Sequence, residues 1–193
     1  MENLNKNKTW YELYFSYRNI ALDAFMVLLS VGLLAVFANI RVPLWPVPIT
    51  MQTFGVFLIA FFFGSRKGFL AIAAYILAGL AGFAVFSGYK SGMAALIGPT
   101  GGYLIGFLFM AFFIGLMIER GYGRTTRSVI LCMVVGELIM YSFGLAGLWL
   151  FLGKVSFWKV LTAGFFPFVI GDAIKAAAAV SLFPYVWKIG KQQ

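Results

Sequence analysis

The charged residues of this chain are gathered into short turns, and between the turns run apolar stretches long enough to cross a bilayer. A spanning helix needs about 20 mostly apolar residues, or about 17 at the short end. In hydrocarbon the backbone polar groups of such a run must be satisfied internally, which makes it helical. Composition agrees: 62% of the residues are hydrophobic and 11% charged, where a soluble domain carries about 25% charged residues. No hydrophilic stretch remains to fold outside the membrane. The pattern predicts an all-α integral membrane protein, a compact bundle of six transmembrane helices in a single domain over residues 1–193.

The predicted spans cover about 20–40, 50–63, 69–86, 103–118, 128–152 and 157–187. Residues 1–18 lack the apolar core and cleavage site of a signal peptide and read as a cytoplasmic or interfacial lead-in. Trp10, Tyr11, Tyr14, Phe15 and Tyr17 would lie at headgroup depth there. Asp23, near the start of the first span, reads as interfacial and helix-starting. Segments 64–68 and 119–127 are basic turns. Ala74, Ala78 and Gly82 recur every four residues, as do Gly102 and Gly106, with Ala111 and Gly115 further on. Small residues at that spacing let helices approach closely.

With six spans both termini share a side. That side carries Lys6, Lys8, Arg18, Arg66, Lys67, Arg120, Arg124, Arg127, Lys188 and Lys191; the other carries only Arg41, Lys90, Lys154 and Lys159. The excess places both termini in the cytoplasm, which accounts for the net charge of +9 as topology rather than nucleic-acid binding.

Two external connections are unusual. Pro43, Pro46 and Pro48 forbid regular helix and push their predecessors toward extended backbone. A rigid, apolar loop with Trp45 in it is either a lid over a cavity or a tight interfacial turn. Thr50, Gln52 and Thr53 follow it as caps, or Gln52 reaches into a site as a neutral hydrogen-bonding group. The segment 87–100 is rich in glycine, which allows backbone to approach a ligand, and Tyr89 and Tyr103 offer ring faces. It lacks the Lys-Ser or Lys-Thr of a phosphate-binding loop.

The last span holds Asp172 and Lys175, three residues apart and therefore on one helical face. Charges in hydrocarbon cost about 2.5–3.5 kcal/mol each on insertion scales and normally face a cavity or a partner. The pair is either a self-neutralising structural bridge or a grip for a polar solute. Pro167 is expected to kink the helix just before it, freeing backbone groups beside the charges. Glu137, in the fifth span with Tyr141 and Ser142 a turn on, is either a buried structural acid or a further site residue. With no histidine and one cysteine, Cys132, no closed metal site is expected, and Cys132 has no intramolecular disulfide partner. No nucleophile–base arrangement is evident, so no enzyme is expected. A small organic acid with an N–H-bearing ring suits a lysine, an aspartate and aromatic walls.

Three blocks carry a family likeness: Pro46-Val47-Pro48-Ile49-Thr50-Met51-Gln52-Thr53; Gly98-Pro99-Thr100-Gly101-Gly102-Tyr103-Leu104 with Gly106-Phe107; and Gly171-Asp172 with Lys175. Together, and in this order, they resemble BioY, the biotin-binding S-component family of energy-coupling factor (ECF) transporters. The resemblance implies high-affinity capture of biotin from outside a prokaryotic cell membrane. It also implies delivery by a module of one transmembrane coupling protein and two cytoplasmic ATPases. No cofactor resides in such a subunit; its partners use the ATP. Trp45, Pro46 and Pro48 would belong to the lid, Thr50 and Gln52 to the lid-side wall, and Gly98, Thr100, Gly102 and Tyr103 to another wall. Asp172 and Lys175 would hold the ligand's polar groups, with Lys175 on the carboxylate and Asp172 on a ureido N–H, or the reverse. Tyr89 and Glu137 are added from the residue reading alone. An S-component for thiamine or riboflavin, a proton-coupled carrier and an intramembrane enzyme using Asp172, Glu137 and Lys175 as a relay are the alternatives. One departure stands out: the Ala-x-x-x-Ala docking face of related first helices is absent, since Ala21 is followed by Phe25 and Ala24 by Leu28.

Overall fold

The computed structural model describes residues 9–14 and 19–190. Tyr14, Phe15 and Tyr17, and the basic residues Lys6, Lys8, Arg18, Lys188 and Lys191, lie outside the side chains described. Five helices are long and apolar enough to cross a membrane: Ile20–Asn39, Gln52–Leu80, Gly101–Glu119, Thr126–Phe151 and a broken one over Phe157–Phe183. In chain order the elements are α1 (Trp10–Tyr14), α2 (Ile20–Asn39), β1 (Arg41–Val42), β2 (Ile49–Thr50), α3 (Gln52–Leu80), α4 (Met93–Ile97), α5 (Gly101–Glu119), α6 (Thr126–Phe151), α7 (Phe157–Gly164) and α8 (Val169–Gly190), with a 3-10 turn at Phe166–Phe168 before α8.

Local chemistry sets the ends of these helices. Asn19 caps α2 by accepting from Ala21 N and Leu22 N at 3.0 and 3.3 Å, two of the donors that a helix start leaves unpaired. Thr125 and Ser128 form a reciprocal capping box at the start of α6. The prolines end helical structure after Ile40, and the chain becomes a hairpin in which Arg41 pairs with Thr50 and Val42 with Ile49.

α3 is not straight. Gly64 has φ 78° and ψ −166°, a region essentially reserved for glycine. A Cβ on Gly68 would lie 3.4 Å from the Cα of Ala60, and Gln52 Nε2 bonds Tyr75 OH at 2.9 Å. Along an unbroken helix those last two residues would be about 35 Å apart. The two limbs therefore fold back on each other through one residue. Glu119 finishes the turn, accepting from Ser65 N at 2.7 Å and from Ser65 Oγ at 2.8 and 2.9 Å. A carboxylate at a helix start satisfies open N–H groups and complements the dipole.

This corrects two expectations. The turn at 64–68 is a single residue, because helix resumes at Ser65. The following helix ends at Leu80, not near Phe86, and Gly82 (φ 103°) lies beyond it. The Ala74/Ala78/Gly82 row is thus not one helical stripe. Gly79 is the close-approach position, receiving the ring of Phe86.

α5 is the centre of the bundle, between α3 and α6. A Cβ on Gly102 would sit 2.4 Å from Phe143 O, one on Gly106 2.8 Å from Met140 O, and one on Gly115 2.3 Å from Ser65 N. Backbone meets backbone at all three. Leu34, Phe57, Ile72, Tyr75, Met110, Ile114 and Leu148 fill the core.

Pro167 breaks the last helix as expected. Phe168 N turns to Phe165 O at 2.9 Å, which leaves Gly164 O without its helical donor. Tyr103 OH takes that place at 2.8 Å. Tyr103→Phe is therefore expected to lower stability by about 1–3 kcal/mol, the cost of an unpaired buried carbonyl. Thermal unfolding in detergent checks this; an unchanged melting temperature would mean that the bond contributes nothing.

Candidate solute-binding site

The β1–β2 hairpin closes over a cavity of about 170 Å³. That is below the roughly 300–1,000 Å³ of drug-sized pockets and suits a small solute. Its walls come from the hairpin, the start of α3, the loop before α4, the start of α5, the middle of α6 and the start of α8. Pro46 and Val47 are buried, while Trp45 on the same hairpin is 84% exposed. The hairpin thus turns a proline–valine step inward and leaves the tryptophan outside.

Asp172 and Lys175 line this cavity. Lys175 Nζ donates to Asp172 Oδ1 at 2.9 Å and to Thr53 Oγ1 at 2.7 Å, and the residue is 4% exposed. Tyr141 OH donates to the other oxygen, Asp172 Oδ2. A carboxylate removed from water is tolerated when its charge is paired and its oxygens are hydrogen-bonded; here each Asp172 oxygen accepts one bond and keeps lone-pair capacity for another donor. An ammonium has three N–H groups, of which these two bonds use two. The start of α3 adds a second chain: Thr50 Oγ1 donates to Gln52 Oε1 at 3.1 Å, Gln52 Nε2 to Tyr75 OH, and Tyr75 OH to Val85 O at 3.0 Å. This chain holds Gln52 in place and ties the α3 start to the loop opposite.

Of the residues singled out from the sequence, Trp45, Pro46, Pro48, Thr50, Gln52, Thr100, Tyr103, Asp172 and Lys175 all line the cavity. Four others do not. Tyr89 is 73% exposed on its loop. Gly98 ends α4, its N–H bonded to Ala94 O, beside the lining Pro99. Gly102 is spent on the α5–α6 backbone crossing. Glu137 stands one turn before Tyr141, its two oxygens buried without a hydrogen-bond partner among the described residues.

Several wall residues were missed. Arg41 and Lys90 line the mouth and are exposed; in the sequence they mark only sidedness. Ser87 lines the cavity with a buried hydroxyl that has no partner among the described residues. Tyr141 and Phe168 complete an aromatic wall with Tyr103. Only the spacing of Tyr141 from Glu137, and the position of Phe168 after Pro167, carried any signal.

A cavity with aromatic walls and a buried ion pair, set among helices of membrane-spanning length, defines a multi-pass membrane protein with room for a small solute. The chain belongs to the BioY family, whose profile matches residues 6–192. It is 42% identical to the biotin transporter BioY of Thermotoga maritima, over 77% of this chain and 85% of that protein. It is 39% identical to the probable biotin transporter BioY of Pyrococcus horikoshii, over 83% and 93%. The fold matches a crystal structure of the S-component for biotin from an ECF-type ABC transporter. That match has a TM-score of 0.73 and 25% identity, over 88% of this chain and 90% of that one.

Proposed function

We propose that this protein is the biotin-capturing S-component of an ECF-type uptake transporter, one domain over residues 1–193. In this reading the two limbs of α3 count as separate spans, which gives six, and residues 1–18 lead in from the cytoplasm. The cavity then opens to the outside of the cell membrane. A coupling protein and two ATPases supply the work, and the subunit itself catalyses nothing and needs no resident cofactor.

The observation that carries this reading is the Asp172–Lys175 pair within a cavity under the proline hairpin. Its geometry favours one orientation of the ligand. Lys175 is deep and already neutralised, whereas Arg41 and Lys90 at the mouth are in no ion pair among the described residues. The ureido ring therefore goes inward, its N–H to Asp172 and its carbonyl to the third N–H of Lys175, against Tyr103, Tyr141 and Phe168. The carboxylate stays at the rim with Arg41 and Lys90. Thr50, Gln52 and Thr100 line the sides, and Trp45, Pro46 and Pro48 belong to the cover. Gly98, Gly102, Tyr89 and Glu137 support these walls from behind or outside.

Purified protein is expected to bind biotin with submicromolar affinity and to reject thiamine and riboflavin in competition; absence of such binding would remove the reading. Arg41→Ala with Lys90→Ala is expected to weaken biotin at least tenfold while leaving biotinamide, which has no carboxylate, within twofold. The biotin effect should shrink as salt rises, because rim charges are screened. Equal losses for the two ligands would reverse the assignment of ends.

A further inference from the structure

A second concavity lies outside the first, between α6 and α7, with a volume of about 460 Å³. On α6 it is lined by Leu138, Leu145, Ala146 and Trp149, on α7 by Phe157 and Leu161, and just past the end of α7 by Phe165. These recur at helical spacing, so the groove runs along both helices rather than across them. From Leu138 to Trp149 it is about 16 Å long at 1.5 Å per residue. Half of an approximately 30 Å hydrocarbon core is about 15 Å, so the groove is one leaflet deep. Its end at Trp149 is marked by charge. Lys154 N bonds Trp149 O at 2.9 Å, and the exposed lysine follows directly on the end of α6.

We propose that this groove seats one acyl chain of an anionic glycerophospholipid, whose phosphate rests at Lys154. Placing it in the outer leaflet rests on the orientation proposed above; the groove itself does not. The site touches the solute cavity through one residue. Tyr141 lines both: its hydroxyl holds Asp172 on the inner side, and its ring meets Phe165 at 4.9 Å. An acyl chain packed against that ring fixes the donor that Asp172 depends on.

Native mass spectrometry of delipidated protein, given equal phosphatidylglycerol and phosphatidylcholine, tests this. Wild type is expected to retain one phosphatidylglycerol with at least fivefold preference. Ala146→Phe and Leu161→Trp fill the groove from opposite walls, and each is expected to lose the retained lipid. Lys154→Gln is expected to keep a lipid but take either headgroup equally. Added phosphatidylglycerol should tighten biotin binding severalfold in wild type and not in Ala146→Phe. Lipid retention in both filled variants, a preference surviving Lys154→Gln, or a lipid-free dimer of wild type would each overturn the proposal. Retention is read by mass without biotin, so a failure to bind the vitamin leaves this result standing.

Discussion

Lys175→Met is expected to lose at least 100-fold in biotin affinity. Removing one partner from a buried ion pair costs about 3–5 kcal/mol, and each 1.4 kcal/mol is about tenfold in binding. The loss has two sources. A donor to the ligand disappears, and Asp172 keeps its charge with only Tyr141 OH to meet it. The apo protein should therefore also melt lower. Asp172→Asn combined with Lys175→Met removes the stranded charge and is expected to restore much of the melting temperature without restoring binding. Calorimetry with biotin and thermal unfolding without it separate the two effects. An affinity within threefold of wild type would mean that the pair is structural.

The largest effect on folding is expected at Gly64. Alanine there adopts a backbone region that costs about 1–3 kcal/mol for any residue with a Cβ. That Cβ would also lie 2.5 Å from Glu119 Oε1 and 2.6 Å from Thr9 Cγ2. Relieving the clash moves Glu119 off Ser65 and opens the start of the second α3 limb. Gly64→Ala should lower the unfolding free energy by about 3 kcal/mol or more, the strain and a lost charge-assisted bond together. Gly64→Val should fail to accumulate in membranes. A Gly64→Ala protein melting within 2 °C of wild type would show that the turn relaxes freely.

Much of this was legible in the sequence where chemistry forces the outcome. Apolar runs between charged turns gave the helices, Pro167 gave the break before Asp172, and Pro43, Pro46 and Pro48 gave the irregular cover. The Asp172/Lys175 spacing put both charges on one helical face, and both line the cavity as an ion pair. What failed has one main cause. In lipid a helix is apolar on every side, so periodicity does not tell an inward face from an outward one. Gly102 therefore reads equally well as a cavity wall or as the helix crossing it serves, while Tyr89, on a loop, has no periodicity to place it and is exposed. Gly64 looked like one residue of an ordinary basic turn, because its positive φ is invisible until Ala60 and Gly68 are seen in contact. Arg41 and Lys90 were counted for sidedness, and nothing local distinguished them from cations that merely mark a membrane face.

At Gly102, Gly106 and Gly115 the backbone of α5 meets the backbone of α6 or α3 with no side chain between them, so sliding at those crossings has no room to start. Those crossings tie the three helices into one frame. α2 has 11% of its spanning window buried, against 56% for α3 and α5, and it runs directly into the hairpin. Among the described spans α2 is the least buried, and it carries the hairpin, so displacing that arm with its cover would disturb the fewest packed side chains.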